Sequence, residues 1–131
     1  MTIVVNFEMY AGNSVLLEGE ILDSNGDPVD LTNATIRWWI SRESNSGLDG
    51  VLLMKDNLAG STDAGGIVIT DAAQGLYEVS IERDDTIAIP PYIYHHEVEL
   101  IDTENQYSTP TKGSVKIYPT IISKKDLPGA T

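Results

Sequence analysis

Residues Asn33–Arg42 read NATIRWWISR, and the period of this stretch decides the fold. On an extended strand successive side chains point to opposite faces. Ile36, Trp38 and Ile40 therefore share one apolar face, and Arg37, Trp39 and Ser41 share the other. Trp38 is expected to fill a core between two sheets. Trp39 stands on the wet face, beside Arg37, where it is either covered by its neighbours or used for contact.

The same period of two recurs along the chain. In VLLEGEIL, Val15, Leu17, Gly19 and Ile21 oppose Glu18 and Glu20. In GLYEVSIE, Tyr77, Val79 and Ile81 alternate with Glu78, Ser80 and Glu82. In YIYHHEVELID, Tyr94, His96, Val98 and Leu100 alternate with His95, Glu97 and Glu99. One dry and one wet face per strand is the pattern of antiparallel sheets. Breakers separate the runs: Asn-Gly and Asp-Pro in DSNGDPVD, the polar loops ESNSGLDG and LAGSTDAGG, the short turn DAAQG, and the double proline of IPPY.

Strands are expected near 2–9, 14–22, 34–41, 51–55, 67–70, 76–82, 93–101 and 113–118. No stretch has the spacing of an amphipathic helix, and DDTIAI suits one helical turn at most. About eight short strands with regular turn signals predict an all-β chain. The expected fold is an immunoglobulin-like antiparallel β-sandwich with Greek-key connections and no substantial helix. Residues 1–122 form one domain in this reading, and 123–131 a flexible or partner-docking tail.

Composition narrows the function. Eight Lys plus Arg stand against 20 Asp plus Glu, a formal net charge of −12. Nucleic-acid binding neutralises phosphates with basic residues, so no nucleic-acid partner is expected. Nor is docking on anionic lipid expected. The absence of cysteine excludes disulfides, a zinc–thiolate site and a thiol nucleophile. The start, MTIVVNFEMY, has neither the basic segment nor the apolar core of a signal peptide, and no apolar run is long enough to span a bilayer.

Several patterns suggest chemistry and fall short of it. His95 and His96 are adjacent, so on a strand they face opposite ways and cannot hold one metal together. No GxSxG elbow accompanies them. Glu97 with Glu99, and Glu78 with Glu82, share strand faces as a glycosidase pair would, yet alternating glutamates are also an ordinary wet face. DSNGDPVD sets Asp23, Asn25 and Asp27 at calcium-loop spacing. The twelfth position holds Ala34 in place of the bidentate glutamate, so a turn with Asx hydrogen bonds is expected. STDAGG lacks the lysine and following helix of a phosphate loop. No catalytic residue, metal or cofactor is expected.

The segments GEILDSNGDPVDLTNATIRWWIS, LLMKD, GGIVITDAAQGLYEVSIERDDT and YIYHHEVELID, taken in order, carry a further signal. Their sequence of G-x-P-x-D-L-T-like turn, A-T-I-R-W strand, G-x-Y-x-V-like strand, P-P entry and E-V-E-L strand resembles a group of small bacteriophage and prophage structural proteins. The likeness spans about 15–118, and is to the amino-terminal, immunoglobulin-like modules of upper-baseplate and tail-fibre-associated proteins. Where that pattern has glycine after the double proline, this chain has Tyr92. The resemblance implies a non-enzymatic virion component of tail, baseplate or fibre attachment, made in the bacterial host cytoplasm. Its implied partners are other phage structural proteins or copies of itself. Arg37, Trp39, Tyr92 and Tyr107 are the interface candidates. The alternative is a carbohydrate-binding sandwich in which Trp39 and Tyr92 stack on sugar rings, and a more distant one is a hydrolase using the glutamate face.

Overall fold

The computed structural model describes residues 2–43, 50–58 and 66–119; the expected tail at 123–131 and most of the two glycine-rich loops lie outside them. The described strands are β1 (Ile3–Val4), β2 (Phe7–Tyr10), β3 (Val15–Glu20), β4 (Thr35–Ser41), β5 (Val51–Asp56), β6 (Ile67–Asp71), β7 (Leu76–Ile81), β8 (Tyr92–Ile101) and β9 (Tyr107–Tyr118). A 3₁₀ turn at Ala72–Gln74 joins β6 to β7, and a one-turn helix, α1 (Arg83–Thr86), joins β7 to β8. Glu82 caps α1 reciprocally with Asp85: its N–H donates to Asp85 Oδ2 at 2.7 Å, and its side chain accepts the Asp85 amide.

The strands form two packed sheets. The larger has the order β1–β9–β8–β4–β5, with β2 also on β9; the smaller has the order β3–β7–β6. The chain thus enters the larger sheet, crosses to the smaller for β3, returns for β4 and β5, crosses for β6 and β7, and returns for β8 and β9. Between the sheets Trp38 is 1% exposed, among Ile36, Ile40, Val98 and Val115 of the larger sheet and Val79 and Ile81 of the smaller. The strand order, the buried tryptophan on β4 and one corner together make this an immunoglobulin-like sandwich. At that corner the Tyr94 hydroxyl, near the start of β8, donates to the Pro90 carbonyl four residues upstream. Tyr92 therefore does not disturb the corner; Tyr94 closes it.

Three details depart from expectation. The first strand is two short strands, because Asn6 Oδ1 accepts the Ser114 N–H at 2.9 Å and takes the place of a ladder partner. Both halves pair with β9 in parallel, Ile3 with Thr111 and Phe7 with Val115. Alternation reports a wet and a dry face but not the direction of the neighbour. Finally, β9 starts at Tyr107 rather than near 113, although Pro110 lies within it. Proline has no ladder donor and is tolerated at bulges. The β8–β9 register shifts between Val98 and Leu100, where Pro110 would otherwise interrupt it.

Candidate functional site

The outer face of the larger sheet holds two of the candidate residues. β4 lies between the edge strand β5 and the central strand β8, so its outward side chains are flanked by a strand on each side. Trp39 is opposite Met54 on β5 and Glu97 on β8; Arg37 is opposite Asp56 and Glu99. Trp39 and Met54 are both half-buried. The surrounding charges are paired: Arg37 Nη1 lies 3.7 Å from Glu99 Oε1, and His95 Nε2 lies 2.8 Å from Glu97 Oε1. Lys112 faces Glu97 from β9. Trp39 and Met54 thus form an apolar spot toward the β5 side of this face, with polar and charged side chains around it.

The other two candidates lie elsewhere. Tyr92 is 66% exposed at the start of β8, its ring edge-on to Tyr94 at 5.6 Å. It lines a separate hollow of about 290 Å³ with Arg42, Glu43, Pro90, Pro91 and Tyr94. Tyr107 is 65% exposed at the other end, opposite Ile101. Tyr92 is five residues along β8 from Glu97, the partner of Trp39, or about 17 Å at strand rise. One sugar ring cannot lie on both aromatics.

The two histidines face opposite ways. His95 is on the wet face with Glu97. His96 is buried, at the position that in a disulfide-bearing immunoglobulin domain holds the second cysteine, two residues after the corner tyrosine. Both its ring nitrogens are engaged. The Trp38 indole N–H donates to Nδ1 at 3.2 Å, and Nε2 lies 2.6 Å from the Val5 carbonyl. An indole only donates and a carbonyl only accepts, so the ring is neutral with its proton on Nε2. Burial, ahead of every other influence, pushes its pKa below the ordinary 6.5. Gly113 makes this arrangement possible: a Cβ there would lie 1.9 Å from the Val5 oxygen.

Sequence reasoning did not find a cleft beside this histidine. It has a volume of about 310 Å³ and lies between the sheets, with Ile3, Val5 and Phe7 along one wall, Leu17 to Glu20 of β3 along the other, and Trp38, Tyr77 and His96 beneath. Tyr77 crosses the inner side of β3 at Gly19, where a Cβ would lie 2.1 Å from the ring. Its hydroxyl bonds Thr111, and burial pushes its pKa up to about 12. The alternation of Ile3, Val5 and Phe7 was the available signal, but their placement opposite β3 depends on the parallel pairing with β9.

The remaining motifs resolve into local structure. Asp23 Oδ1 accepts the amides of Asn25 and Asp27 at 2.8 and 3.0 Å, an Asx turn. Among the described residues no group of three or more His, Asp or Glu is arranged to hold a metal ion, and no helix is long and apolar enough to cross a membrane. Glu97 and Glu99 each face a cationic or imidazole partner on an open sheet, Glu82 caps α1, and Glu78 lies on the smaller sheet.

No family model and no curated protein matches the chain. Among solved structures, the PmoD soluble domain from Methylocystis sp. ATCC 49242 has 11% identity and a TM-score of 0.46, over 85% of this chain and 77% of that one. Tim-1 has 16% identity and a TM-score of 0.45, over 94% and 99%. A family 123 glycoside hydrolase from Clostridium perfringens has 14% identity and a TM-score of 0.38, over 98% of this chain and 24% of its own.

Proposed function

We propose that the chain is a non-enzymatic assembly module acting by protein–protein contact through the outer face of its larger sheet. In this reading it is a bacteriophage or prophage virion component of tail, baseplate or fibre attachment. Its partners are other virion structural proteins or further copies of itself. The observation that carries the contact role is Trp39, half-buried on that face between Met54 of the edge strand β5 and Glu97 of β8, with Arg37, Glu99 and His95 nearby. Tryptophan and arginine are favoured anchors at interfaces, and an indole buried there can supply about 2 kcal/mol or more. The virion assignment is supported by the order of sequence segments.

The test is light scattering at low and high salt on the wild type and Trp39→Ala, with incorporation of both into assembled particles. A net charge of −12 repels like copies at long range, so self-association through an apolar contact strengthens as salt screens the charge. Association or incorporation that is lost in Trp39→Ala is the expected result. A wild type that stays monomeric throughout, with Trp39→Ala incorporated as well as wild type, refutes the proposal.

A further inference from the structure

The 310 Å³ cleft has a property beyond its shape: one of its walls is an open sheet edge. β3 pairs with β7 along its whole length, and among the described residues no strand pairs its other edge. An open edge presents backbone N–H and C=O groups that template another strand. Sheets commonly guard such edges with charged side chains, lysine above all, with proline or with a bulge. β3 reads VLLEGE and its pairing with β7 has no register shift, so it has no proline, lysine or bulge, and its only guarding charges are Glu18 and Glu20. A strand added here would bond to β3 through its backbone while every second side chain entered the slot between β3 and Ile3–Phe7. That wall is five residues long, about 17 Å at strand rise.

Charge defines what such a strand must carry. Glu18 and Glu20 project from β3 onto the outer face of the smaller sheet, and Glu78 of β7 stands directly opposite Glu18. None of these three has an ion-pair partner among the described residues. Like charges directly opposite each other destabilise a sheet. A strand on the β3 edge would set its outward side chains beside Glu18 and Glu20, where lysine or arginine relieves the repulsion. A second copy offering its own β3 would instead bring glutamate against glutamate, which disfavours edge-to-edge pairing of like molecules.

We propose that the open edge of β3 and the adjoining cleft form a strand-acceptor site. Its occupant is an extended segment of a partner protein, apolar at alternate positions and basic between them. The site is separate from the Trp39 face and does not depend on the function proposed for it.

The test uses the full chain and capped heptapeptides: alternating valine and lysine, the valine–glutamate counterpart, and the lysine peptide with proline at its centre. Amide hydrogen exchange locates binding, and the quench of tryptophan fluorescence measures it. The lysine peptide should slow exchange along Val15–Glu20 and bind more weakly as salt is raised. The double variant Glu18→Lys/Glu20→Lys changes only exposed side chains. It should weaken the lysine peptide about three- to tenfold, as loss of two surface ion pairs implies, and strengthen the glutamate peptide. The proline peptide should bind at least about tenfold more weakly, since it cannot complete the ladder. Protection confined to another edge, equal binding of all three peptides, indifference to the double variant, or no binding of the lysine peptide at millimolar concentration each overturns the proposal.

Discussion

Replacing His96 with leucine tests the buried polar centre of the sandwich. The substitution leaves two groups without partners, the Trp38 indole N–H and the Val5 carbonyl, which now bond the two ring nitrogens at 3.2 and 2.6 Å. The buried Trp38 N–H, once orphaned, costs about 1–3 kcal/mol and the part-buried Val5 carbonyl adds less, so the loss near pH 7.5 should be about 1–4 kcal/mol. The loss should also shrink on acidification. Burial holds the His96 pKa below 6.5 in the folded chain, and a second ring proton would face the Trp38 N–H donor. As pH falls below 6.5 the unfolded chain takes up a proton that the native chain does not. The histidine's contribution is thus fully present above that pH and is lost as pH falls toward the folded pKa, at up to about 1.4 kcal/mol per pH unit. His96→Leu has no such proton to gain, and its neighbours His95 and Glu97 are common to both proteins. Urea unfolding of wild type and variant, followed by tryptophan fluorescence at several pH values from about 7.5 to 5, measures the gap between them. A gap that stays constant or widens as pH falls would refute the neutral, doubly bonded histidine.

Two further substitutions test the packing. Trp38→Ala should cost about 3–5 kcal/mol because it empties a site that is 1% exposed, and half-buried Trp39→Ala less than half as much; equal losses in denaturant would invert the face assignment. Gly113→Ala should cost about 1–3 kcal/mol by pushing the Val5 carbonyl away, and should speed amide exchange at Val5, which now donates to the Lys112 carbonyl at 2.9 Å. An alanine variant as stable and as protected as wild type would mean that β1 is not held against β9 in this way.

The faces of the central strands were legible because a period of two is a local property. Ile36, Trp38 and Ile40 point inward, as do Tyr77, Val79 and Ile81, and even His96 could be assigned to the apolar face from its place between Tyr94 and Val98. Its partners could not, since Val5 is 91 positions away and is brought there only by the approach over Gly113. The same limit applied at both ends of the chain. Nothing in TIVVNF indicates that it will break at Asn6 or pair in parallel with β9, because both depend on Ser114 and Gly113. YSTPTK reads as a loop on account of its proline and polar residues, and becomes strand only because β9 bulges there, setting Thr109 and Pro110 against the single Glu99 of β8. Trp39 and Arg37 were correctly grouped by spacing. Tyr92 and Tyr107 were not part of that group, since exposure at strand ends carries no record of which surface it joins.

The pairing of the first strands with the last also sets the order in which the protein can be made. Asn6 and Ser114, which join across this seam, are 108 positions apart. A ribosome adds about 5–20 residues per second, so the amino-terminal strands wait roughly 5–20 seconds for the strand they must join. Until then the Val5 carbonyl that His96 needs is not in place, and the wall formed by Ile3, Val5 and Phe7 is absent. During synthesis this seam cannot close before β9 has emerged, and it is a long-range pairing of the kind that slows folding. Nascent chains arrested before β9 should therefore expose the side of the sandwich that the finished molecule closes.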